Sequence, residues 1–367
     1  MHIVYIGGFE LPDKNAAAQR VMANARLLRE IGFDVSFIGI SKAMEYAPTS
    51  VDGFESNPVS YPASIKQWIH QICTFIDTKE IIDKKPDYVI LYNFPAIASL
   101  RILKACHKNG IRVIHDITEW ECNNRWSPTD IMRKVDINLR MRYCVKKMDG
   151  VIAISQYLYN YYKRYTNTIL VPPIVDLSAK KWDRERKLST GNSIKLIYAG
   201  NAGFGTKDRL DIIVKSVVKF PNMQLDVIGM TKQQYITGYG NLPKKCNNIF
   251  FHGRVPHTEA VKAVQGADFQ FLIRDSNLKN NAGFPTKFVE SLACCTPVIA
   301  TLTSNIGDYL NDGVNGYVVD NNCSIDDVLV KISNLSKQKI IQMKQYCRDC
   351  HLFDYREYRI AFEQIFK

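Results

Sequence analysis

The feature that most limits the fold of this chain is a series of short, almost continuous apolar runs separated by longer amphipathic segments. Residues 2–6, 88–91 and 151–154 are runs of this kind. Unbroken apolar strands are typical of parallel sheets, because helices cover both faces of such sheets. The alternation therefore predicts an α/β fold built on doubly wound parallel sheets.

The alternation occurs twice along the chain. In the first half it predicts strands at 2–7, 34–40, 87–92, 111–117, 150–155 and 169–174, and helices near 15–31, 64–82, 96–109, 129–148 and 156–165. In the second half it predicts strands at 194–199, 223–228, 248–252, 269–273, 297–301 and 316–319. Helices are expected there near 207–219, 231–240, 257–266, from Pro285 onward, and near 304–311, 324–335, 337–350 and 354–367.

Between the two halves, residues 176–193 are polar, charged and without periodicity, which is typical of a linker. A length of 367 residues also fits two domains of ordinary size. We therefore predict two Rossmann-like domains, at 1–175 and 194–350, that face a central cleft. A C-terminal helix at 351–367 is expected to return to the N-terminal domain.

Charge and cysteine usage narrow the class of protein. The formal net charge of +12 favours anionic partners, and without a nucleic-acid-binding motif these are phosphorylated small molecules or an anionic membrane surface. No apolar run approaches the roughly 18 residues of a transmembrane helix, and no signal peptide is recognisable. The ten cysteines are scattered, as in proteins with reduced thiols. We expect a cytoplasmic protein that does not bind nucleic acid.

Residues 281–300 carry the clearest chemical signal. Gly283 permits close approach of the backbone to a ligand, and Pro285 suits the first position of a helix. Helical spacing places Lys287, Glu290 and Cys294 on one face. The apolar residues of the opposite face are expected in the core: Phe288, Val289, Leu292 and Ala293. A lysine in the first helical turn suits a bound anion such as a diphosphate, although a solvated surface helix explains the pattern equally well.

A glycine-rich turn follows the first strand of the second half. Gly200 and Asn201 end that strand, and Lys207 lies where the next helix is expected. Backbone amides and one lysine can form a phosphate-binding loop, but an ordinary strand-to-helix turn has the same composition. The spacing differs from both the dinucleotide-binding fingerprint and the Walker loop.

Taken together and in order, these segments resemble the GT-B glycosyltransferases, and within them the retaining family 4. In the second half the matching segments are 198–201 (YAGN), 251–256 (FHGRVP), 283–287 (GFPTK) with Glu290, and 312–318 (DGVNGYV). In the first half they are Gly7-Gly8, Gln19-Arg20 and 113–116 (VIHD). The PTK variant looks most like branches that build bacterial surface polysaccharides such as capsule and O-antigen.

The resemblance implies a role for each matched residue. Glu290 would bind the ribose hydroxyls of a nucleotide sugar, and Arg254 and Val255 would lie beside its base. Lys287, Lys207 and the backbone amides of 286–288 would hold the diphosphate. His115 would contact the donor sugar across the cleft, so His115 and Lys287 are the expected catalytic residues. The other expected donor-binding residues are Gly8, Gly200, Asn201, Asn281, Gly283, Phe284, Pro285 and Thr286.

The function implied is transfer of a sugar from a nucleoside diphosphate sugar to a glycan or a polyprenyl-diphosphate-linked sugar. The N-terminal domain would take the acceptor and the C-terminal domain the donor, with retention of anomeric configuration. Neither a metal nor another cofactor is expected, which agrees with the absence of an Asp-x-Asp sequence. A non-catalytic sugar-nucleotide-binding partner and a GT-B-fold epimerase are the alternatives.

Two departures from the family pattern concern donor binding. Ala282 stands where the family has its first glutamate, and Asn201 stands where it commonly has an arginine. Either Asn280, Asn281 and Lys287 bind the donor instead, or the protein is a weak or inactive relative; the first is favoured because Lys287 and Glu290 remain.

A basic helical segment at 131–147 bears on the acceptor. Ile131, Val135 and Leu139 recur on one side of it. The segment is either a helix packed on the core or one that lies on an anionic membrane, peripheral to the inner face of the plasma membrane.

Overall fold

The computed structural model describes residues 1–12, 15–121, 127–182, 193–203, 207–243 and 246–367. The chain divides into two compact units. The first comprises Met1–Val175, Ala282–Phe284 and Asp354–Lys367, and the second comprises Asp176–Asn281 and Pro285–Phe353.

Strands and helices alternate in both units. The strands are β1 His2–Gly7, β2 Asp34–Ile38, β3 Ile40–Ser41, β4 Ser50–Val51, β5 Phe54–Ser56, β6 Val59–Ser60, β7 Tyr88–Tyr92, β8 Arg112–Ile117, β9 Gly150–Ala153, β10 Asn167–Leu170, β11 Ile194–Ala199, β12 Met223–Ile228, β13 Ile249–Gly253, β14 Phe269–Leu272, β15 Val298–Thr301 and β16 Gly316–Val319. The helices are α1 Ala16–Glu30, α2 Ile65–Cys73, α3 Thr78–Asp83, α4 Ala96–Lys108, α5 Pro128–Leu139, α6 Gln156–Tyr162, α7 Leu210–Val217, α8 Lys232–Tyr239, α9 His257–Gly266, α10 Leu278–Ala282, α11 Thr286–Ala293, α12 Ile325–Ser333, α13 Lys337–Asp349 and α14 Arg359–Ile365.

The main sheet of the first unit has the strand order β10-β9-β8-β7-β1-β2-β5-β4. Its strands are parallel except for the antiparallel pair β4–β5. The central strands are buried along their whole length, and their two faces contribute to different core clusters. Tyr5 and Phe37 belong to one cluster, and Val89 and Ile102 belong to the other. Burial on both faces explains why these strands have unbroken apolar sequences.

The sheet of the second unit has the order β13-β12-β11-β14-β15-β16, and all its described pairings are parallel. β11 lies between β12 and β14, so residues that follow β11 and β14 come together at one edge of the sheet. A core around Leu196, Phe271 and Leu329 covers one face. The predicted α/β class with doubly wound parallel sheets is confirmed.

Residues 354–367 pack on the first unit. Tyr355 N donates to Val175 O at 3.0 Å, and Tyr88 Oη donates to Phe366 O at 2.8 Å. The Phe366 ring lies 4.7 Å from that of Phe33. These contacts tie the end of the chain to the start of its first sheet.

Several predicted elements differ in detail. The segment 64–82 is two helices, α2 and α3, and the expected helix at 304–311 is only the 3-10 turn Ile306–Asp308. Helix α5 ends at Leu139, and a π-helical turn, Arg140–Cys144, follows it. Of the predicted linker, residues 183–192 lie outside the described residues.

Candidate functional site

Lys287 is held by helix α11, which starts at Thr286 and not at Pro285 as predicted. Pro285 is the N-cap residue, with extended backbone, and in the described part of the chain no side chain caps this end. The apolar face of the helix is buried as expected. Cys294, which was predicted on the same helix face as Lys287 and Glu290, is buried.

The Lys287 ammonium lies in a buried polar cluster of the second unit. Its Nζ donates to Tyr198 Oη at 2.7 Å and to Asp208 Oδ2. Tyr198 Oη donates to the same carboxylate oxygen at 2.6 Å, and Arg274 Nε donates to Asp208 Oδ1 at 2.6 Å. The Asp208 side chain is 0% exposed and that of Lys287 is 11% exposed. Two cations therefore share one buried carboxylate.

Burial and charge set the protonation states in this cluster. Burial lowers the pKa of Lys287 to about 8, even though Asp208 beside it favours the charged form. Burial alone would raise the pKa of Asp208, but the charges of Lys287 and Arg274 lower it to about 2. At neutral pH the cluster therefore carries an excess of positive charge close to the surface, which can attract an anion.

Gly200 leaves the space through which Lys287 reaches this cluster. Its φ of +128° lies in a region that favours glycine, and a Cβ placed there would overlap Lys287 Cε. Any side chain at this position would displace the lysine. The glycine that follows β11 therefore has a specific steric function next to Lys287.

Asp208, Tyr198 and Arg274 are site residues that the sequence analysis did not assign. Tyr198 lies in β11, Asp208 precedes α7, and Arg274 follows β14. β11 and β14 are neighbours in the sheet, so their carboxyl ends meet. The signal that could have indicated the cluster was a charged residue after each of two apolar strands: Arg274 two residues after β14, and Asp208 after the glycine-rich turn that follows β11.

The other predicted groups around the glycine-rich turn are placed as follows. Lys207 is exposed, and its charge contributes to the lowered pKa of Lys287. Asn201 is exposed and its Oδ1 accepts from Gly203 N at 2.9 Å. Residues 204–206 lie outside the described residues.

Glu290 is partly exposed on α11 and has a histidine neighbour from α9. His257 Nε2 lies 3.5 Å from Glu290 Oε1. His257 was not among the predicted site residues, and it directly follows the matched segment 251–256. Of the residues expected beside a nucleobase, Arg254 is exposed and Val255 is half-buried.

Two asparagines expected to compensate for Ala282 make internal hydrogen bonds. Asn281 Oδ1 accepts from Ser304 N at 3.0 Å, and its Nδ2 donates to Ser276 Oγ at 3.0 Å. Asn280 Nδ2 donates to Asp275 O at 2.8 Å. All three compensating groups are therefore engaged in internal hydrogen bonds, the two amides around α10 and Lys287 with Tyr198 and Asp208.

The other predicted residues lie in the chain just before α11 or in its first turn. Gly283 and Thr286 are half-buried, and Phe284 and Pro285 are buried. Of the three backbone amides expected to hold a diphosphate, that of Phe288 donates to Pro285 O at 3.0 Å. This amide is therefore already used within the helix.

His115 lies in the first unit and is fully buried in β8. Burial, followed by the charge of Arg140, lowers its pKa to about 3, so the ring is neutral. The expected contact with a donor sugar is not available in this conformation, because the ring has no exposed surface. The adjacent Asp116 accepts from Arg20 Nη2 at 2.8 Å and from Tyr5 Oη at 2.5 Å. Asp116 thus joins β8 to α1 and β1.

Gly8, the donor-binding residue expected in the first unit, follows β1 and is exposed. A Cβ at this position would meet no atom within 4 Å. The structure gives no steric reason for glycine here.

The described residues contain no group of three or more His, Cys, Asp or Glu side chains that could hold a metal ion. No helix among them is both long and apolar enough to cross a membrane.

Residues 180–349 match the family described as Glycosyl transferases group 1. This segment is a glycosyltransferase domain. It contains the whole cluster around Asp208 as well as Glu290 and His257. This family match confirms the prediction of a glycosyltransferase. No curated protein matches the chain in sequence.

Solved structures with a similar fold cover the chain over its full length. They include the lipopolysaccharide outer core galactosyltransferase WaaB in its apo form (TM-score 0.66, 15% identity, 100% of this chain and 99% of that chain). Sucrose-phosphate synthase from Thermosynechococcus elongatus is also similar (TM-score 0.73, 14% identity, 100% and 98%). A third is HepE from Anabaena in complex with UDP and glucose (TM-score 0.66, 13% identity, 100% and 99%). The predicted GT-B fold is confirmed.

Proposed function

We propose that the chain transfers a sugar from a nucleoside diphosphate sugar to a glycan or lipid-linked glycan. The acceptor would belong to bacterial surface polysaccharide synthesis, of the capsule or O-antigen type, at the inner face of the plasma membrane. The observation that carries the proposal is the buried cluster in which Lys287 and Arg274 share Asp208. Its excess positive charge suits the diphosphate of such a donor.

Two parts of the donor, the diphosphate and the ribose, have candidate partners in the second unit. Lys287 and the exposed Lys207 would bind the diphosphate and stabilise its charge as it leaves. Glu290, partly exposed and beside His257, would accept hydrogen bonds from the ribose hydroxyls. Structures of HepE are described with UDP and with UDP-glucose, which supports a uridine nucleotide as the first donor to test.

We further propose that transfer needs no metal ion and retains the anomeric configuration. Protein cations would neutralise the leaving diphosphate in place of a metal. The departing diphosphate would help to deprotonate the acceptor hydroxyl on the same face of the sugar. Turnover that survives chelation, and product with the donor's anomeric configuration by NMR, would support these two points. Loss of turnover on chelation, or an inverted product, would contradict the respective point.

The test of the proposed function is a panel of nucleotide sugars with measurement of donor hydrolysis and transfer. We expect Glu290→Ala to lower kcat/KM between about tenfold and a hundredfold, because a hydrogen bond to a charged group is lost. Glu259→Ala is the matched control, since this exposed glutamate lies on the adjacent helix α9 and should leave kcat/KM unchanged. Equal effects of the two substitutions would mean that the ribose site is misplaced.

A non-catalytic sugar-nucleotide-binding partner is the second candidate. It is favoured by Ala282, which supplies no carboxylate, and by the burial of His115. In the same panel, tight nucleotide binding without hydrolysis, transfer or epimerisation would support this candidate and contradict the enzyme.

A further inference from the structure

Helices α9 and α11 of the second unit lie side by side and run in the same direction. Cys294 Sγ, at the C-cap of α11, lies 3.9 Å from Val261 O of α9. One helical turn earlier on both helices, His257 Nε2 lies 3.5 Å from Glu290 Oε1. In both pairs the partner from α11 lies 33 residues further along the chain. The contact between His257 and Glu290 therefore belongs to the packing register of the two helices.

Buried contacts hold this register at the other end of α9. Thr296 Oγ1, in the turn after α11, donates to Val264 O at 2.7 Å, and both residues are buried. Gln265 Nε2 donates to Lys181 O at 3.2 Å. These contacts fix the C-terminal half of α9. The first residue of the helix, His257, is thereby placed beside the middle of α11.

The contact between the two side chains is favourable only with a proton on His257 Nε2. A carboxylate accepts hydrogen bonds and donates none, so an unprotonated Nε2 would set two lone pairs against each other. With the proton on Nε2, the ring attracts Glu290 in both its neutral and its cationic form. This contact uses at most one of the roughly four acceptor positions of the carboxylate. The others can accept from a ligand.

His257 restricts a side chain that is otherwise flexible. The side chains of His257 and Glu290 are 36% and 27% exposed, so both can be reached from solvent. In the described part of the chain, no other cationic nitrogen lies within 4.0 Å of the Glu290 carboxylate. A flexible glutamate loses conformational freedom when it binds a ligand, which weakens binding. A glutamate held in place beforehand loses less.

We propose that His257 is a positioning residue, which holds Glu290 in the orientation that accepts from both hydroxyls of a ribose. The inference rests on the proposed function, because it needs Glu290 to bind the ribose of a nucleoside diphosphate. It adds a specificity to that site. A ligand without the 2′-hydroxyl loses one of the two hydrogen bonds, so the positioned carboxylate discriminates ribose from 2′-deoxyribose.

The experiment measures the binding of UDP, ADP, GDP and CDP to the full chain by calorimetry, each beside its 2′-deoxy counterpart. The ribose ratio is the affinity for a ribonucleotide divided by that for its deoxy counterpart. We expect a ribose ratio of about ten for the wild type, because a hydrogen bond to a charged group is lost. His257→Ala should lower the ratio to about three, since the carboxylate is no longer restricted. Glu290→Ala should lower it to about one.

Two conservative substitutions separate positioning from packing. The amide nitrogen of glutamine lies about as far along the side chain as Nε2 of histidine, whereas that of asparagine corresponds to Nδ1. His257→Gln should therefore keep the ribose ratio of the wild type, and His257→Asn should lower it as His257→Ala does. Thermal melts of all three variants should stay close to that of the wild type, because His257 is partly exposed.

His107→Ala is the matched control. His107 Nε2 also faces a carboxylate, that of Asp149 at 3.0 Å, but this pair lies in the first unit. The ribose ratio should not change in this variant. An unchanged ratio in His257→Ala, or equal ratios in the glutamine and asparagine variants, would overturn the inference and leave the proposed function standing. A wild-type ratio of one would overturn the ribose assignment of Glu290 and the inference with it. Binding of none of the nucleotides would overturn the proposed function as well.

Discussion

The Asp208 carboxylate gives the sharpest test of the structure, because it is the shared partner of two buried cations. Asp208→Asn keeps the size of the side chain and removes its charge. Lys287 and Arg274 would then lie together in a buried site without a counter-charge. Removal of one partner from a buried ion pair costs about 3–5 kcal/mol in the free energy of unfolding.

The pKa of Asp208 gives an independent lower limit for this effect. Its depression from 3.8 to about 2 corresponds to about 2 kcal/mol of preference for the charged form in the folded state. This stabilisation is fully present above the ordinary pKa of 3.8 and is lost as the pH falls towards 2. We therefore expect Asp208→Asn to destabilise the second unit by about 2–5 kcal/mol, or roughly 10 °C in Tm.

Urea and thermal unfolding at neutral pH measure this change, and Asp211→Asn is the matched control. Asp211 lies three residues further along and pairs with Arg209, but both side chains of this pair are partly exposed. A pair of this kind contributes about 1 kcal/mol or less. Equal shifts for the two variants, or no shift for Asp208→Asn, would refute the description of Asp208 as the centre of the cluster.

Three further predictions concern Lys287 and Gly200. Because the pKa of Lys287 is about 8, kcat/KM for the donor should fall as the pH rises through this value. Lys287→Arg should move this fall to higher pH. A flat pH profile of kcat/KM in the wild type would contradict a role for the ammonium. The lowered pKa of Lys287 also means that, between about pH 8 and pH 10.5, the unfolded chain binds more protons than the folded chain. The contribution of this lysine to stability should therefore rise with pH across that window. Gly200→Ala should displace Lys287 and weaken nucleotide binding about tenfold or more, measured by calorimetry, because the new Cβ would overlap Lys287 Cε. Gly240→Ala is the control for backbone strain alone, since Gly240 also has positive φ but a Cβ there would meet no atom within 4 Å. Equal losses of nucleotide binding in the two variants would rule out the steric explanation.

The fold could be predicted from the sequence because it depends on a local pattern. Strands such as β1, β7 and β9 are apolar throughout, since helices cover both faces of their sheet, and this signal needs no knowledge of distant residues. The errors occur where local pattern is weakest. The sequence predicted one helix where α2 and α3 are separate, and a helix at 304–311 where the structure has only the turn Ile306–Asp308. Propensity alone sets helix boundaries poorly.

The candidate site could be predicted only in part, for a different physical reason. Lys287 and Glu290 share one helix, so their spacing placed them on one side of it. Asp208 and Arg274 lie 66 residues apart, and their contact depends on the adjacency of β11 and β14. Sequence order does not give strand adjacency directly, so the carboxylate that fixes Lys287 was missed. His115 shows the converse, since the family resemblance implied a contact with the donor sugar, whereas this side chain lies within β8 and is buried.

Helix α5 shows why an apolar stripe on a helix does not by itself identify the buried side. Ile131, Val135 and Leu139 have the spacing of a core-facing stripe, and Asp136 and Arg140 would be assigned to solvent by the same rule. The structure reverses this assignment, because Asp136 accepts from the backbone amide of Ala96 and Arg140 donates to the carbonyl of Asn93. Once Asp136 and Arg140 satisfy these groups, the helix is oriented and the apolar stripe must face outward. The side chains of Ile131, Val135 and Leu139 are exposed as a result, so this face of α5 does not pack on the core.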